Sequence, residues 1–356
     1  MSNPFRAEMK GKVQTVLGEV EPSTLGITLT HEHLLIDLRC YFKMPEEASN
    51  RWYVDRPVTM DILGKVRGMF YANQDNQMLL DERFAIEEIL KYRYAGGDSL
   101  VDTTSLGIGR DPLALARISR ATGLKVVMGA SHYVPEAHPV DMNQRSEESI
   151  TQQIIVDVSV GVKDTGIKSG VIGEVGNHTP LTDNMRKVLR ASAHAQVETG
   201  APILIHPGIH PDTPLEIIKI LMDNGAKAEN VIMGHLDNIR PMSAIKELAD
   251  TGCYLEYDRF GSEDTSMDYR SGDIQTTNVS DVQRMDSIEY LISEGYGERI
   301  TIAHDVCLKT DTTAYGGKGF AHILESIVPR MRSRGLTQAQ IDDILINNPA
   351  RALTFA

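Results

Sequence analysis

The stretch Gly26-Ile27-Thr28-Leu29-Thr30-His31-Glu32-His33-Leu34-Leu35 decides how this chain of 356 residues is read. A β-branched, apolar run leads into two histidines separated by one residue. Side chains alternate along a strand, so a buried strand ending here carries His31 and His33 on one face and Glu32 on the other. Two imidazoles side by side at a strand end are half of a metal site. Histidines also serve as hydrogen-bonded core residues, so the pair alone leaves both readings open and the rest of the chain has to choose.

Working outward, seven more short apolar runs follow, at 99–103, 125–129, 170–174, 202–206, 230–235, 253–257 and 299–305. Segments of helical periodicity lie between them. Arg186–Thr199 is one, with Thr182 and Asp183 before it as caps and Gly200 as its stop. The segments 215–224 and 241–250 close in the same way, at Gly225 and Gly252. Strand and helix alternating eight times predict an α/β fold, the (β/α)8 TIM barrel. Residues 1–25 read as a short β lead-in, an alternating run from Lys12 to Val20 followed by a turn at Glu21-Pro22-Ser23. Residues 26–356 read as the barrel, and no linker, repeat or low-complexity tract divides the chain, so a single domain over 1–356 is expected.

Composition narrows the function. With 41% hydrophobic and 24% charged residues the chain has ample material for a core, which excludes disordered and collagen-like classes. A formal net charge of -13 repels phosphate backbones and anionic membrane surfaces, so neither nucleic acid nor membrane is an expected partner. No apolar run approaches the roughly 18 residues of a membrane span, and Met1–Lys12 lacks the apolar centre of a signal peptide, so a cytoplasmic location is expected. Cys40, Cys253 and Cys307 are odd in number and have no metal-type spacing, which predicts free thiols.

Two connections are long, from about Leu38 to Gly97 and from Arg259 to Glu298. Connections that follow strands reach the C-terminal face of such a barrel, where its active sites lie. Trp52 and Tyr53 in the first, and Phe260 to Asn278 in the second, are candidate pocket walls; for Trp52 a surface insertion over a small separate apolar cluster is the alternative.

Four further strand ends carry metal-binding residue types: Glu174 on the fourth, His206 on the fifth, His235 on the sixth and Asp305 on the eighth. Singly, each has an ordinary structural account. A barrel brings strand ends to one mouth, where four histidines and two carboxylates without cations would be costly. Six ligands exceed what one tetrahedral ion takes. The economical expectation is two divalent ions about 3.5–4 Å apart, sharing Glu174 and a hydroxide. His31, His33 and Asp305 would hold the first, and His206 and His235 the second. Imidazole with carboxylate suits zinc, and manganese, iron or cobalt would accept the same set.

Thr28-Leu29-Thr30-His31-Glu32-His33, Gly173-Glu174-Val175-Gly176, His206-Pro207-Gly208, Gly234-His235-Leu236-Asp237 and Ala303-His304-Asp305 together resemble the phosphotriesterase family of the amidohydrolase superfamily, nearest to its phosphotriesterase-related branch. The resemblance covers almost the whole chain, including Tyr315-Gly316-Gly317-Lys318-Gly319-Phe320 and Asn348-Pro349-Ala350-Arg351. It implies a barrel with a binuclear metal centre, hydrolysis by activated water, and a homodimer. Many members bridge their metals with a carboxylated lysine; this chain has Glu174, which offers the same two oxygens and weakens the inference to organophosphate substrates. Tyr133 resembles the pocket tyrosine of the family's lactonases and Arg259 their pocket arginine, which implies substrate-binding roles for both. Arg259 could instead pair with Asp258 or Glu263.

The expected reaction is hydrolysis of a carboxylic ester of a small molecule, a lactone in first place, by the bridging hydroxide, with Asp305 as the acid/base that passes a proton to the leaving alkoxide. N-acyl amide or phosphotriester hydrolysis on the same centre is the alternative. A non-catalytic binding barrel is disfavoured because every ligand position is present. His194 and His322 fall in helical patterns and are expected to be packed or solvated. His132, His138, His178 and His210 follow strands and could line the pocket, without a partner that the sequence identifies; Lys309 and Lys318 follow the eighth strand and are expected to be exposed, with contact to an anionic substrate group as the alternative.

Overall fold

The chain's computed structural model describes residues 4–263, 268–271 and 274–356. Eight strands build the central sheet: β1 (Thr28–Glu32), β2 (Ser99–Asp102), β3 (Lys125–Ala130), β4 (Val171–Gly176), β5 (Ile203–His206), β6 (Val231–Met233), β7 (Tyr254–Tyr257) and β8 (Ile300–Ile302). Each pairs in parallel with its neighbours in chain order. The sheet curls until β8 returns beside β1, where the Asp305 amide donates to the His31 carbonyl at 3.2 Å. The result is a nearly closed (β/α)8 barrel.

Helices α1 (Glu82–Tyr94), α2 (Pro112–Thr122), α3 (Glu147–Ser159), α4 (Asp183–Thr199), α5 (Thr213–Asp223), α6 (Met242–Ala249) and α7 (Asp281–Ser293) follow β1 to β7 in turn. A wide turn at Ile323–Ile327 leads into α8 (Val328–Ser333) after β8. Start signals act as their chemistry dictates: the side chains of Asp81, Asp111, Ser146, Thr182 and Ser280 each accept an amide of the first turn. Gly200 closes α4 at φ +77°, a left-handed conformation that lacks a steric cost only for glycine. Helix α4 begins three residues before the apolar periodicity, because capping by Thr182 and not the pattern sets its start.

The barrel interior is packed, not hollow. Val101, Val127, Val171, Leu204, Ile232 and Tyr254 fill it, joined from below by Val13, Leu25 and Leu353. The lead-in therefore plugs the floor: a helix at Pro4–Met9 precedes the hairpin Val13–Thr15 with Gly18–Val20. Residues of opposite parity, such as Leu100, Val126, Ile172 and Leu255, pack under the helices in the larger core. The long connection after β1 carries its own small cluster of Tyr53, Val58, Ile62, Val66 and Ala72. Trp52 is 52% exposed on that insertion with its ring edge-on to Tyr53 of this cluster, as the alternative of a surface insertion describes. Within the second connection, Phe260, Ser262, Glu263 and Asn278 line cavities, while residues 264–267 and 272–273 lie outside the described residues. No helix among the described residues is long and apolar enough to cross a membrane.

Candidate metal centre

The six residues read from the strand ends converge on one point above the packed interior. Glu174 is at its middle, with ring nitrogens of four histidines around its oxygens: His31 Nε2 at 3.3 Å, His33 Nε2 at 3.5 Å, His206 Nδ1 at 3.2 Å and His235 Nε2 at 3.5 Å. Asp305 Oδ1 stands 3.2 Å from His33 Nε2 and 3.8 Å from His31 Nε2.

Plain alternation does not produce this arrangement. Leu29 packs in the layer under the helices, so strict period two would send His31 there too; a register shift between Leu29 and Glu32 turns the histidines inward. A second shift, between Ile172 and Val175, does the same for Glu174. His235 and Asp305 lie beyond their strands, at φ +53° and +50°. Such backbone is costly for residues with a Cβ and persists where the surroundings over-determine it, as at functional sites.

The outer nitrogens of three rings are held by partners that set the tautomer. His31 Nδ1 lies 3.2 Å from Glu256 and 3.1 Å from Asp258; His235 Nδ1 lies 2.8 Å from Asp258, and His33 Nδ1 2.9 Å from Thr104 Oγ1. With the outer nitrogen donating, the inner one presents a lone pair to the centre, as in metal-ligating histidines. Buried His31 Nε2 has no hydrogen-bond partner among the described residues. Inward lone pairs, an orphaned nitrogen and two carboxylates are a donor set that fits divalent cations.

Electrostatics point the same way. Burial opposes charge on His31 and His235, yet Glu174 and Asp258 outweigh it for His31, and chiefly Asp258 for His235, which is raised to about 10. Glu174 and Asp258 stay well below the usual carboxylate range despite burial, held by the same rings. Asp305 is lowered to about 2: burial works against its charge, and Arg259 and the nearby histidines prevail. The cluster draws positive charge into itself, and bound cations meet that demand while leaving the imidazoles neutral.

Tyr133 is buried, its hydroxyl 3.4 Å from His206 Nδ1 and 3.5 Å from that of Tyr41. Arg259 pairs with neither Asp258 nor Glu263: its guanidinium meets Asp305 Oδ2, because Asp258 points inward to the two histidines and Glu263 accepts the Asp281 amide. Glu32 faces away from the centre, fully buried. It accepts the His304 amide at 2.9 Å and the Val306 amide at 3.1 Å, and lies 2.7 Å from His304 Nδ1, so it grips both neighbours of Asp305.

Three carboxylates were not singled out as parts of the site. Glu256 and Asp258 follow Tyr254 by two and four residues, and the period of the strand, continued past its end, puts all three on the inner face; that signal was legible. Asp237 receives the Asp258 and Arg259 amides and pairs with Arg284, itself fully buried between Asp237 and Asp281. The other histidines stand apart from the centre. His322 packs on Asp281 at 2.7 Å, His194 is half-exposed beside Glu147, His138 bonds the Tyr133 carbonyl, and His178 and His210 approach Glu136 and Asp212. Lys309 is not exposed as expected but bound to Asp75 at 2.6 Å, while Lys318 is exposed.

A family model for the phosphotriesterase family matches residues 11–353. The chain belongs to the phosphotriesterase family. It is a family of hydrolases, typically metal-dependent, and the His/Asp/Glu clusters of this chain could bind metal ions. The chain is 42% identical over 351 residues to an N-acetyltaurine hydrolase of Tetraodon nigroviridis, covering 98% of this chain and 99% of that protein. Among solved structures, a resiniferatoxin-binding protein from Rhodobacter sphaeroides superposes with a TM-score of 0.93 at 33% identity, covering 99% of this chain and 98% of that one. A lactonase from Listeria monocytogenes, at 24% identity and a TM-score of 0.77 over 97% and 99% of the two chains, shares the fold.

Proposed function

We propose that this phosphotriesterase-family hydrolase cleaves a small N-acyl amide at a centre of two divalent cations. The observation that carries the reading is the ring of four imidazole nitrogens within 3.2–3.5 Å of Glu174, in a chain 42% identical along its length to an N-acetyltaurine hydrolase. His31, His33 and Asp305 would hold one ion and His206 and His235 the other, with Glu174 between. When bound, such ions lower the pKa of water and polarise a carbonyl oxygen.

The chain's own groups supply the rest. Asp305 has one oxygen facing His33 and the other tied to Arg259, so it can take a proton from the attacking water only on the inner oxygen and return it from there. An amine leaves only once its nitrogen is protonated, so this return matters more for an amide than for an ester. The Tyr133 hydroxyl, beside His206, is positioned to hydrogen-bond an acyl group. Glu32 holds the backbone on both sides of Asp305 by accepting the His304 and Val306 amides.

Lactone hydrolysis is the second reading, supported by Tyr133 at the centre; likeness to the Listeria lactonase is a likeness of fold. Metal analysis together with turnover of N-acetyltaurine, lactones and phosphotriesters decides between them. Amide cleavage by protein carrying a pair of divalent ions is expected. Metal-loaded protein that opens lactones and leaves every N-acyl amide intact refutes the amide reading.

A further inference from the structure

The long connection after β1 sends one side chain to the centre that the reaction above does not use. The first residues of this connection are pinned from two directions. Ile36 and Asp37 pair with Leu79 and Met78, while the Asp37 amide donates to the Ile108 carbonyl and the Leu38 amide to that of Gln77, both at 2.8 Å. A tight turn at Arg39–Tyr41 then sets Tyr41 beside Tyr133. The Tyr41 ring lies against Tyr71, with centroids 5.3 Å apart, and meets Tyr133 edge-on at 6.0 Å; Tyr133 in turn meets His206 edge-on at 5.1 Å.

Tyr133 is fixed as well. Its main chain runs so close to Gly176 that a Cβ there would stand 2.5 Å from the Tyr133 carbonyl carbon, and its carbonyl oxygen lies 2.8 Å from His138 Nε2. Both phenols are thus placed by packing before a substrate arrives. Their hydrogen bonding has one consistent arrangement, because a phenol brings a single hydrogen together with acceptor lone pairs. Among the described residues the Tyr41 hydroxyl has one partner, Tyr133 Oη, to which it donates at 3.5 Å. Tyr133 Oη has a second neighbour, His206 Nδ1 at 3.4 Å. That nitrogen faces Glu174 at 3.2 Å and His235 Nε2 at 2.7 Å; when it ligates an ion it has no lone pair left to accept with and no hydrogen to give. Tyr133 therefore receives from Tyr41 and keeps its own hydrogen for a group entering beside His206. A hydroxyl that accepts one hydrogen bond donates the next more strongly. Both distances are long, as catalytic hydrogen bonds commonly are until a substrate draws them in.

We infer that Tyr41 is a positioning residue for hydrolysis, directing the Tyr133 hydroxyl hydrogen at the acyl oxygen of the substrate. This rests on the reading that Tyr133 hydrogen-bonds the acyl group, a group that amides and lactones share. As that oxygen gains negative charge during attack, the bond from Tyr133 strengthens and Tyr41 supports it from behind, with no proton transferred.

A double-mutant cycle of Tyr41→Phe, Tyr133→Phe and the double variant tests this, with kcat and KM measured on an amide that the wild type cleaves. Tyr133→Phe is expected to lower kcat about 10²-fold, as removal of one donor to a developing oxyanion does. Tyr41→Phe is expected to lower kcat about three- to tenfold, with KM and the thermal midpoint unchanged, and to have no further effect in the Tyr133→Phe background. Wild-type kcat in Tyr41→Phe, or an equal loss whether or not the Tyr133 hydroxyl is present, overturns the inference. Full turnover in Tyr133→Phe refutes instead the role of Tyr133, and the inference with it. If the wild type opens lactones and cleaves no amide, the amide reading alone has failed, and the same cycle on the lactone decides the role of Tyr41.

Discussion

Replacing Glu32 by glutamine tests how the barrel holds Asp305. The Glu32 carboxylate receives the His304 amide and ring on one oxygen and the Val306 amide on the other, with no exposed surface. Glutamine keeps the shape but has one acceptor. It will turn that oxygen toward His304, where two donors wait, and leave its NH2 facing the Val306 N–H. An orphaned buried amide costs about 1–3 kcal/mol, and two charge-assisted bonds made neutral lose about 1 kcal/mol each. The sum is about 3–5 kcal/mol, borne by the segment that keeps Asp305 at φ +50°. Urea unfolding followed by far-UV circular dichroism should show the loss in stability, and kcat/KM should fall because the acid/base is no longer held in place. Glu87→Gln, which removes an exposed pair with Arg83 on α1, should stay within about 0.5 kcal/mol of wild type. If Glu32→Gln unfolds at the same urea concentration as Glu87→Gln and keeps full turnover, the clamp has no such role.

Asp305→Asn should retain metal by elemental analysis and lose about 10²–10⁴ in kcat; full turnover would remove Asp305 from the mechanism. Dialysis against a chelator should abolish activity and lower the thermal midpoint, with both restored by added zinc or manganese, since ions that bind only the folded chain stabilise it. Arg284→Met strands Asp237 and Asp281 in the interior and should cost about 3–5 kcal/mol in denaturant unfolding, against the small change typical of a surface arginine. Burial, then the nearby His138 and Arg145, lower His132 to about 4. Its folded pKa lies below the unfolded value of about 6.5, so its contribution is complete above that pH and is lost as the pH falls toward 4. His132→Phe should flatten that part of the stability profile measured between pH 4 and 7; an unchanged slope would show that the ring is not buried neutral.

The fold was legible because both of its periods are local. Eight apolar runs separated by capped helical patterns leave few architectures, and Thr182 and Gly200 bound their helix as side-chain capping and left-handed backbone require. The candidate metal residues were legible for a coarser reason: residues at strand ends share the barrel mouth, whatever the exact path of each strand. Tyr133 was found by resemblance and does approach the centre. Arg259 was also found, but its partner was not, since Asp258 and Asp305 are 47 residues apart in sequence and differ here only in which way the folded backbone turns them.

By itself the sequence determined the barrel, because alternation and capping act between residues close in the chain, and it named the six candidate residues by their place at strand ends and Glu32 by its opposite parity to His31 and His33. The tertiary structure decided what strict alternation could not. Register shifts in β1 and β4 turn His31 and Glu174 inward, and left-handed turns do so for His235 and Asp305. Packing also decided which carboxylate serves which base: Asp258 two rings, Glu32 the His304 loop, Asp237 a buried arginine. Pairing of buried charges is settled by distances of about 3 Å between segments remote in sequence, and only closure of the barrel sets those distances.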